Sequence, residues 1–184
     1  MIEDKIKWNK RLQEMDFPDK PSKVVVEFAH LAKGNKALDI AAGMGRNSKF
    51  LAEQGFEVDA LELSDVGIES LRAIKNVNTY QVDLDNYVLP KNNYDLIICI
   101  NYLNRKLFPE IKNALKSGGI LIYETLCNKE DETATIKSPE YFLKTGELRN
   151  SFNELNIIYY KEYERINYFN QKVTKACLVG KNLG

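Results

Sequence analysis

The sequence predicts an α/β domain, a three-layer sandwich around a mostly parallel sheet that closes with an antiparallel β-hairpin. Three observations predict it. Helical and extended patterns alternate from about residue 20 to residue 125, as they do in chains that wind helices over both faces of one sheet. Leu96 to Ile100 is apolar at every position, which marks a strand buried on both faces. Two long extended runs, Ile157 to Arg165 and Val173 to Val179, close the chain around a short loop with Asn167 and Asn170. That loop suits antiparallel pairing, because parallel partners need a long crossover. With 184 residues the chain fits one domain, 1–184.

The elements follow in order. Ser22 is placed to cap a helix through Val25, Val26, Phe28, Ala29 and Leu31, with Gly34 ending it. Ala37 to Ala41 reads as a buried strand and Gly43 to Gly45 as a sharp turn. Arg46 to Gln54 is a helix ended by Gly55, and Phe56 to Leu61 is the second strand. Ser64 caps another helix, whose Ile68, Leu71 and Ile74 share one face. Thr79 to Val82 is the third strand and Leu96 to Ile100 the fourth. Leu107, Ile111, Ala114 and Leu115 mark an amphipathic helix, closed by Gly118-Gly119 before the fifth strand, Ile120 to Tyr123. A helix around Leu148, Phe152 and Leu155 precedes the hairpin, whose two strands bring the sheet to seven.

Composition narrows the function classes. Lys plus Arg and Asp plus Glu each number 26, so the formal net charge is zero. Nucleic-acid binders carry a basic excess to neutralise phosphate, so neutrality weighs against that class. The opening Met1 to Arg11 is charged, and no run nears the about 18 apolar residues of a membrane span. A cytoplasmic protein is expected. Cys99, Cys127 and Cys177 are widely spaced, no CxxC occurs, and His30 is the sole histidine. No metal site is expected.

The strongest local signal is Ala37-Leu-Asp-Ile-Ala-Ala-Gly-Met-Gly-Arg-Asn-Ser48. A buried strand enters a small-residue turn and then a helix, so backbone can approach a ligand closely beside open N–H groups. Asp39, near the strand's end, suits a cationic ligand group and would repel a pyrophosphate. Glu62 follows the second strand, where an acid accepts from both ribose hydroxyls. Asp83 follows the third, where a carboxylate can accept from an adenine amino group while Leu84 packs on the ring. Ligands of such folds bind at the carboxyl ends of the strands, so the three acids should line one crevice.

With these residues the chain resembles the class I S-adenosylmethionine-dependent methyltransferases, and most of all the tellurite-resistance methyltransferase group. The resemblance runs through Trp8 to Arg11, Leu38-Asp-Ile-Ala-Ala-Gly-Met-Gly-Arg-Asn47 and Tyr94-Asp-Leu-Ile. It continues in Tyr102-Leu-Asn-Arg-Lys-Leu-Phe108, Lys116-Ser-Gly-Gly-Ile-Leu-Ile-Tyr-Glu-Thr125 and Phe142-Leu-Lys-Thr-Gly-Glu-Leu148. It implies a Rossmann-like sheet of seven strands, S-adenosyl-L-methionine as cofactor, and methyl transfer. It places Asp39 and Gly43 around the methionine part, Glu62 on the ribose, and Asp83 with Leu84 on the adenine. Ala41, Arg46, Leu63, Ile100 and Trp8 complete the implied cofactor set. Arg46 either meets the cofactor carboxylate or is a surface helix arginine. Ala41 stands where the general motif has glycine, and Ser48 where a dinucleotide fingerprint wants one.

Residues 1–21 are expected to cover the cofactor cleft, with Trp8 and Arg11 leading. Asn101 and Tyr102, after the fourth strand, are the candidates lining the methyl site, and Tyr102 reads equally as a packing aromatic. Arg105 either binds an anionic acceptor or opens the next helix. The loop Asn128 to Ser138 is a second recognition region. No obligatory catalytic side chain is expected, because the cofactor carries the reactive group. The leading expectation is methylation of a small molecule. The alternatives are a non-catalytic adenosylmethionine-binding module, a methyltransferase acting on RNA or protein, and a dinucleotide oxidoreductase. Nothing in the sequence reads out an oligomeric state.

Overall fold

The computed structural model describes residues 2–15, 17–128, 139–167 and 170–184. In chain order the elements are α1 (Ile2–Glu14), α2 (Lys23–Phe28), β1 (Lys36–Ile40), α3 (Arg46–Glu53), β2 (Glu57–Glu62) and α4 (Asp65–Arg72). They continue with β3 (Val77–Gln81), β4 (Tyr94–Ile100), α5 (Leu107–Ala114), β5 (Leu115–Asn128) and β6 (Leu143–Lys144). The last are α6 (Glu147–Ser151), β7 (Asn156–Ile166) and β8 (Lys172–Lys181). A path of seven strands runs β3-β2-β1-β4-β5-β8-β7, and the two-residue β6 pairs with β5. β1 to β5 pair in parallel, while β8 runs antiparallel to both β5 and β7. The sheet is thus mostly parallel and ends in the expected hairpin.

Period-two alternation divides the core into two layers. Leu38 and Ile40, Ile97 and Cys99, Leu121 and Tyr123, Ala176 and Leu178 face one side, where Phe108 and Ile111 of α5 and Leu148 of α6 cover them. Ala37, Leu96, Ile98 and Ile100, Ile120 and Ile122, Cys177 and Val179 face the other, under Val24 and Val25 of α2 and Leu51 of α3. Asp39 sits on this second face, by its parity with Ala37.

Some boundaries differ from the sequence reading, each for a physical reason. The first core helix does not run to Gly34. It ends at Phe28 and tightens into a 3₁₀ turn, Ala29–Leu31. Gly118-Gly119 does not close α5, which ends at Ala114 as Leu115 pairs with Tyr94. The two glycines bend β5 instead. Gly118 has φ +81°, and the β4–β5 register shifts between Tyr94 and Leu96. α6 stops at Ser151, yet Phe152 and Leu155 beyond it are buried with Leu148 as their apolarity required.

Sheet order puts the switch point between β1 and β4, the two strands whose connections leave in opposite directions. Ligands of doubly wound sheets bind there, beyond the carboxyl ends. Both strands leave the sheet through a strained residue. Ala41 has φ +56° and Asn101 φ +60°, a left-handed conformation uncommon outside glycine and typical of functional sites.

Candidate functional site

The β1–β2 half of the crevice is built by backbone. After β1 the chain turns through Ala41, Gly43 (φ +58°) and Gly45 (φ +83°) into α3. A side chain on Gly43 would meet nothing within 4 Å, so this turn faces open space. No side chain caps α3. Glu62, 7% exposed, accepts from the Gly43 N–H through Oε2 at 2.8 Å and from the Ser64 N–H through Oε1 at 2.8 Å. Both carboxylate oxygens are therefore fixed, and each keeps acceptor capacity for a ligand. Leu63 beside it is half-buried.

Asp39 is 1% exposed, and its Oδ2 accepts from the Ser48 hydroxyl at 2.6 Å. Burial pushes its carboxyl up to about 7, against the opposing pull of Ser48 and of Arg46. A cation placed beside it favours its charged form. Ser48, read from sequence only as a missing glycine, is the partner that holds it.

Arg46 turns toward the chain before α2, donating to the Lys20 carbonyl at 3.1 Å and to Ser22 Oγ at 3.1 Å. Asn47 accepts from the Ser22 N–H at 2.8 Å. Ser22 precedes α2 as expected but makes no side-chain cap bond. Asp83 folds onto its own turn, accepting from the Asp85 N–H at 3.1 Å and Asn86 Nδ2 at 2.9 Å. Asp85 in turn accepts from Asn104 at 2.9 Å, tying this turn to the loop after β4. Leu84 is buried in the core at 8% exposed.

α1 contributes no buried residue and docks by polar contacts. Asn9 Oδ1 accepts from the N–H groups of Asp65 (2.7 Å) and Val66 (3.4 Å), while Ser64 Oγ takes that of Gly67 at 3.0 Å. Two side chains from separate segments thus satisfy the open first turn of α4. Lys5, Gln81 and Asn9 hold the Asp65 carboxyl down at about 2. Trp8 is half-buried with the Arg11 guanidinium 5.1 Å from its ring, and Lys7 lies 5.7 Å from the Tyr141 ring. α1 therefore reaches from the end of β2 to residue 141.

The β4–β5 half is built by side chains. Ile100 is 7% exposed, whereas Asn101 is exposed at the strand's end. Tyr102 packs its ring on the core, and burial pushes its phenol up to about 12, so it stays protonated. Its carbonyl accepts from Tyr123 at 3.0 Å. Arg105 is committed to Glu147 (2.5 and 2.9 Å) and to the carbonyls of Glu140 and Phe142. It staples the segment before α6 and lies ahead of α5. The Asn128 to Ser138 loop falls at 129–138, outside the described residues.

Sequence reasoning missed Glu124, Lys175, Tyr163, Asn9 and Gly67. Glu124 and Lys175 form a buried pair at 2.6 Å, joined by Asn101 and Tyr163. Glu124 follows the apolar run Ile120 to Tyr123 as Glu62 follows Ala60-Leu61, and that signal was available. Lys175 is the lone charge between Val173 and Gly180 in β8, but its partners lie 51 and 74 residues away. Gly67 is needed because a Cβ there would lie 2.7 Å from Glu62 Cγ and 2.7 Å from the Gly43 carbonyl. The cysteines are bystanders. Burial pushes all three thiols up to about 12, which leaves no thiolate nucleophile at neutral pH.

Comparison with known proteins assigns the architecture. The family model of the tellurite resistance protein TehB matches residues 13–174. The chain belongs to the TehB family. It is 28% identical over 156 residues to a probable S-adenosyl-L-methionine-dependent methyltransferase TehB of Haemophilus influenzae, covering 78% of this chain and 51% of that protein. The chain therefore spans about half the length of that curated relative. The crystal structure of TehB from Haemophilus influenzae superposes with a TM-score of 0.78 at 20% identity, over 97% of this chain and 66% of that one. Geranyl diphosphate C-methyltransferase from Streptomyces coelicolor, solved with S-adenosyl-L-homocysteine, superposes at 0.66 and 12% identity, over 86% and 79%. This chain thus has the Rossmann-like fold of class I methyltransferases. Among its described residues no helix is long and apolar enough to cross a membrane.

Proposed function

We propose that this chain is an S-adenosylmethionine-dependent methyltransferase acting on a small molecule. The observation that carries the reading is the pair of buried strand-end carboxylates, Asp39 and Glu62, on either side of the open turn at Gly43. Their chemistry fits the cofactor. Glu62 is preorganised by two backbone N–H groups and keeps lone pairs for two vicinal hydroxyls. Asp39 is a buried acid whose charged form is favoured by a nearby cation, which suits an α-ammonium. The uncapped start of α3 offers N–H groups to a carboxylate. Ala41, Gly43, Leu63 and Ile100 form the walls, and Arg46 adds positive charge on the α3 side.

The least prepared member is Asp83, whose oxygens already serve its own turn. We assign it, with Leu84, to the adenine end as the weakest contact. α1 is assigned as the cover, with Trp8 over the cleft and Asn9 and Lys5 as its anchors on α4. Asn101 and Tyr102 are assigned to the methyl side. The buried, unpaired cysteines suit a reducing compartment, and we place the protein in the cytoplasm.

S-adenosylmethionine, when bound, supplies an electrophilic methyl carbon, and transfer is an in-line displacement. The chain's own part is alignment in a dry crevice. Tyr102 stays protonated, so it does not act as the proton acceptor. A small acceptor is supported by structural neighbours, among them an enzyme named for geranyl diphosphate, and by the neutral charge of the chain. The test is transfer of a radiolabelled methyl group from S-adenosylmethionine to panels of small thiols, amines and hydroxyl compounds, beside bulk tRNA and protein. Label in a small-molecule fraction supports the reading. Label only in tRNA or protein replaces the acceptor class.

A further inference from the structure

The polar cluster that joins the residue after β4 to the second half of β5 and the first half of β8 is unused by the cofactor assignment. Lys175 Nζ donates to Asn101 Oδ1 at 2.6 Å and to Glu124 Oε1 at 2.6 Å, and Glu124 Oε2 accepts from the Tyr163 hydroxyl at 2.8 Å. Lys175 and Glu124 are 6% and 5% exposed, while Asn101 is exposed. The Asn101 backbone is also fixed, its N–H donating to the Glu124 carbonyl at 2.7 Å. An ammonium can only donate. The Asn101 carbonyl oxygen must therefore face Lys175, and the amide Nδ2 is turned away from it. Nδ2 has no hydrogen-bond partner among the described residues.

We infer that Asn101 is a specificity-determining residue for the acceptor, held by Lys175 and Glu124 as positioning residues, so that the site presents a fixed N–H donor and selects an acceptor with a carboxylate beside its nucleophilic atom. The inference rests on the methyltransferase reading. A protonated amine at that place meets a donor it cannot pair with. A carboxylate accepts from Nδ2 in a charge-assisted hydrogen bond.

The test uses the protein loaded with S-adenosylhomocysteine, titrated with 3-mercaptopropionate and with 2-mercaptoethylamine, two thiols of opposite charge. Calorimetry gives the affinities, and the Asn101 side-chain amide ¹H–¹⁵N resonance gives the contact. The expected result is binding of the carboxylate thiol about tenfold tighter or more, with a shifted Asn101 resonance for it alone. Asn101→Asp exchanges donor for acceptor and removes the preference. Lys175→Met frees the amide to rotate and brings the two thiols toward equality, and Lys175→Arg restores the difference. Where Lys175→Met does not fold, Asn101→Gly removes the amide in a residue suited to φ +60° and also abolishes the preference. Equal binding, no Asn101 shift with either thiol at millimolar concentration, or a preference surviving Asn101→Gly overturns the inference. S-adenosylhomocysteine binding is scored first. Its absence from folded protein removes the methyltransferase reading, whereas its presence without a thiol preference removes only this inference.

Discussion

Between residues 39 and 67 the β1–β2 half of the crevice draws its turn, its two acids and their partners from one stretch of chain. The β4–β5–β8 half instead gathers Asn101, Glu124, Tyr163 and Lys175 from four distant places. The first half is fixed by backbone N–H groups, so the side chains it holds are free to meet a ligand. The second is fixed by a buried ion pair, whose members are each other's main partners. Local construction makes a site that survives loss of one contact. Long-range construction makes one that fails as a unit.

The largest effect should come from the long-range half. Lys175→Met leaves Glu124 buried without its cation, so thermal or urea unfolding should show a loss of about 3–5 kcal/mol. Lys175→Met with Glu124→Gln should recover much of it, because no lone charge remains buried. Equal losses in single and double variants would mean that the pair is not coupled. In the local half, Glu62→Ala should weaken S-adenosylhomocysteine binding about 100-fold, the worth of about two hydrogen bonds to a charged group. The Gly43 N–H can turn to water, whereas the buried Ser64 N–H loses its partner, so a stability loss of about 1–3 kcal/mol should accompany the weaker binding in a chain that still folds.

Asp39 gives a subtler contrast. Its folded-state carboxyl titrates at about 7, above the ordinary 3.8. A raised acid favours the folded state fully below pH ~4 and loses that contribution as pH climbs through about 7. Asp39→Asn should flatten this fall in the stability profile. A cationic ligand group beside Asp39 should also expel its proton. Ligand binding near pH 7 should therefore release protons, seen as a dependence of the calorimetric enthalpy on buffer ionisation enthalpy. Asp39→Asn should abolish that dependence and cost about tenfold in affinity. The smallest effect is at the cover. Asn9→Ala removes one cap contact of α4 and should cost about 1 kcal/mol in stability, checked by chemical denaturation.

The same contrast explains what was legible in the sequence. The parallel sheet and its hairpin follow from apolar runs and turns, which are local signals. Asp39, Gly43 and Glu62 were readable for the same reason, since strand end and turn lie side by side in the chain. The role of Ser48 was not, because it depends on which face Asp39 takes. Gly118-Gly119 looked like a helix stop because a glycine pair carries the same signature in a bent strand. Lys175 was visible as one charge among Thr174, Ala176 and Cys177. Its purpose appears only when β8 is laid antiparallel against β5, bringing Glu124 to it across 51 residues.

The Asp39–Glu62 half is expected to hold an adenosyl cofactor with a free amino-acid end. The direct measurement is calorimetric titration of the folded protein with S-adenosylhomocysteine and with NADH. One-site saturable binding of the first and none of the second, with the first weakened about 100-fold in Glu62→Ala, is the predicted result. Binding of NADH, or an unchanged affinity in Glu62→Ala, contradicts it.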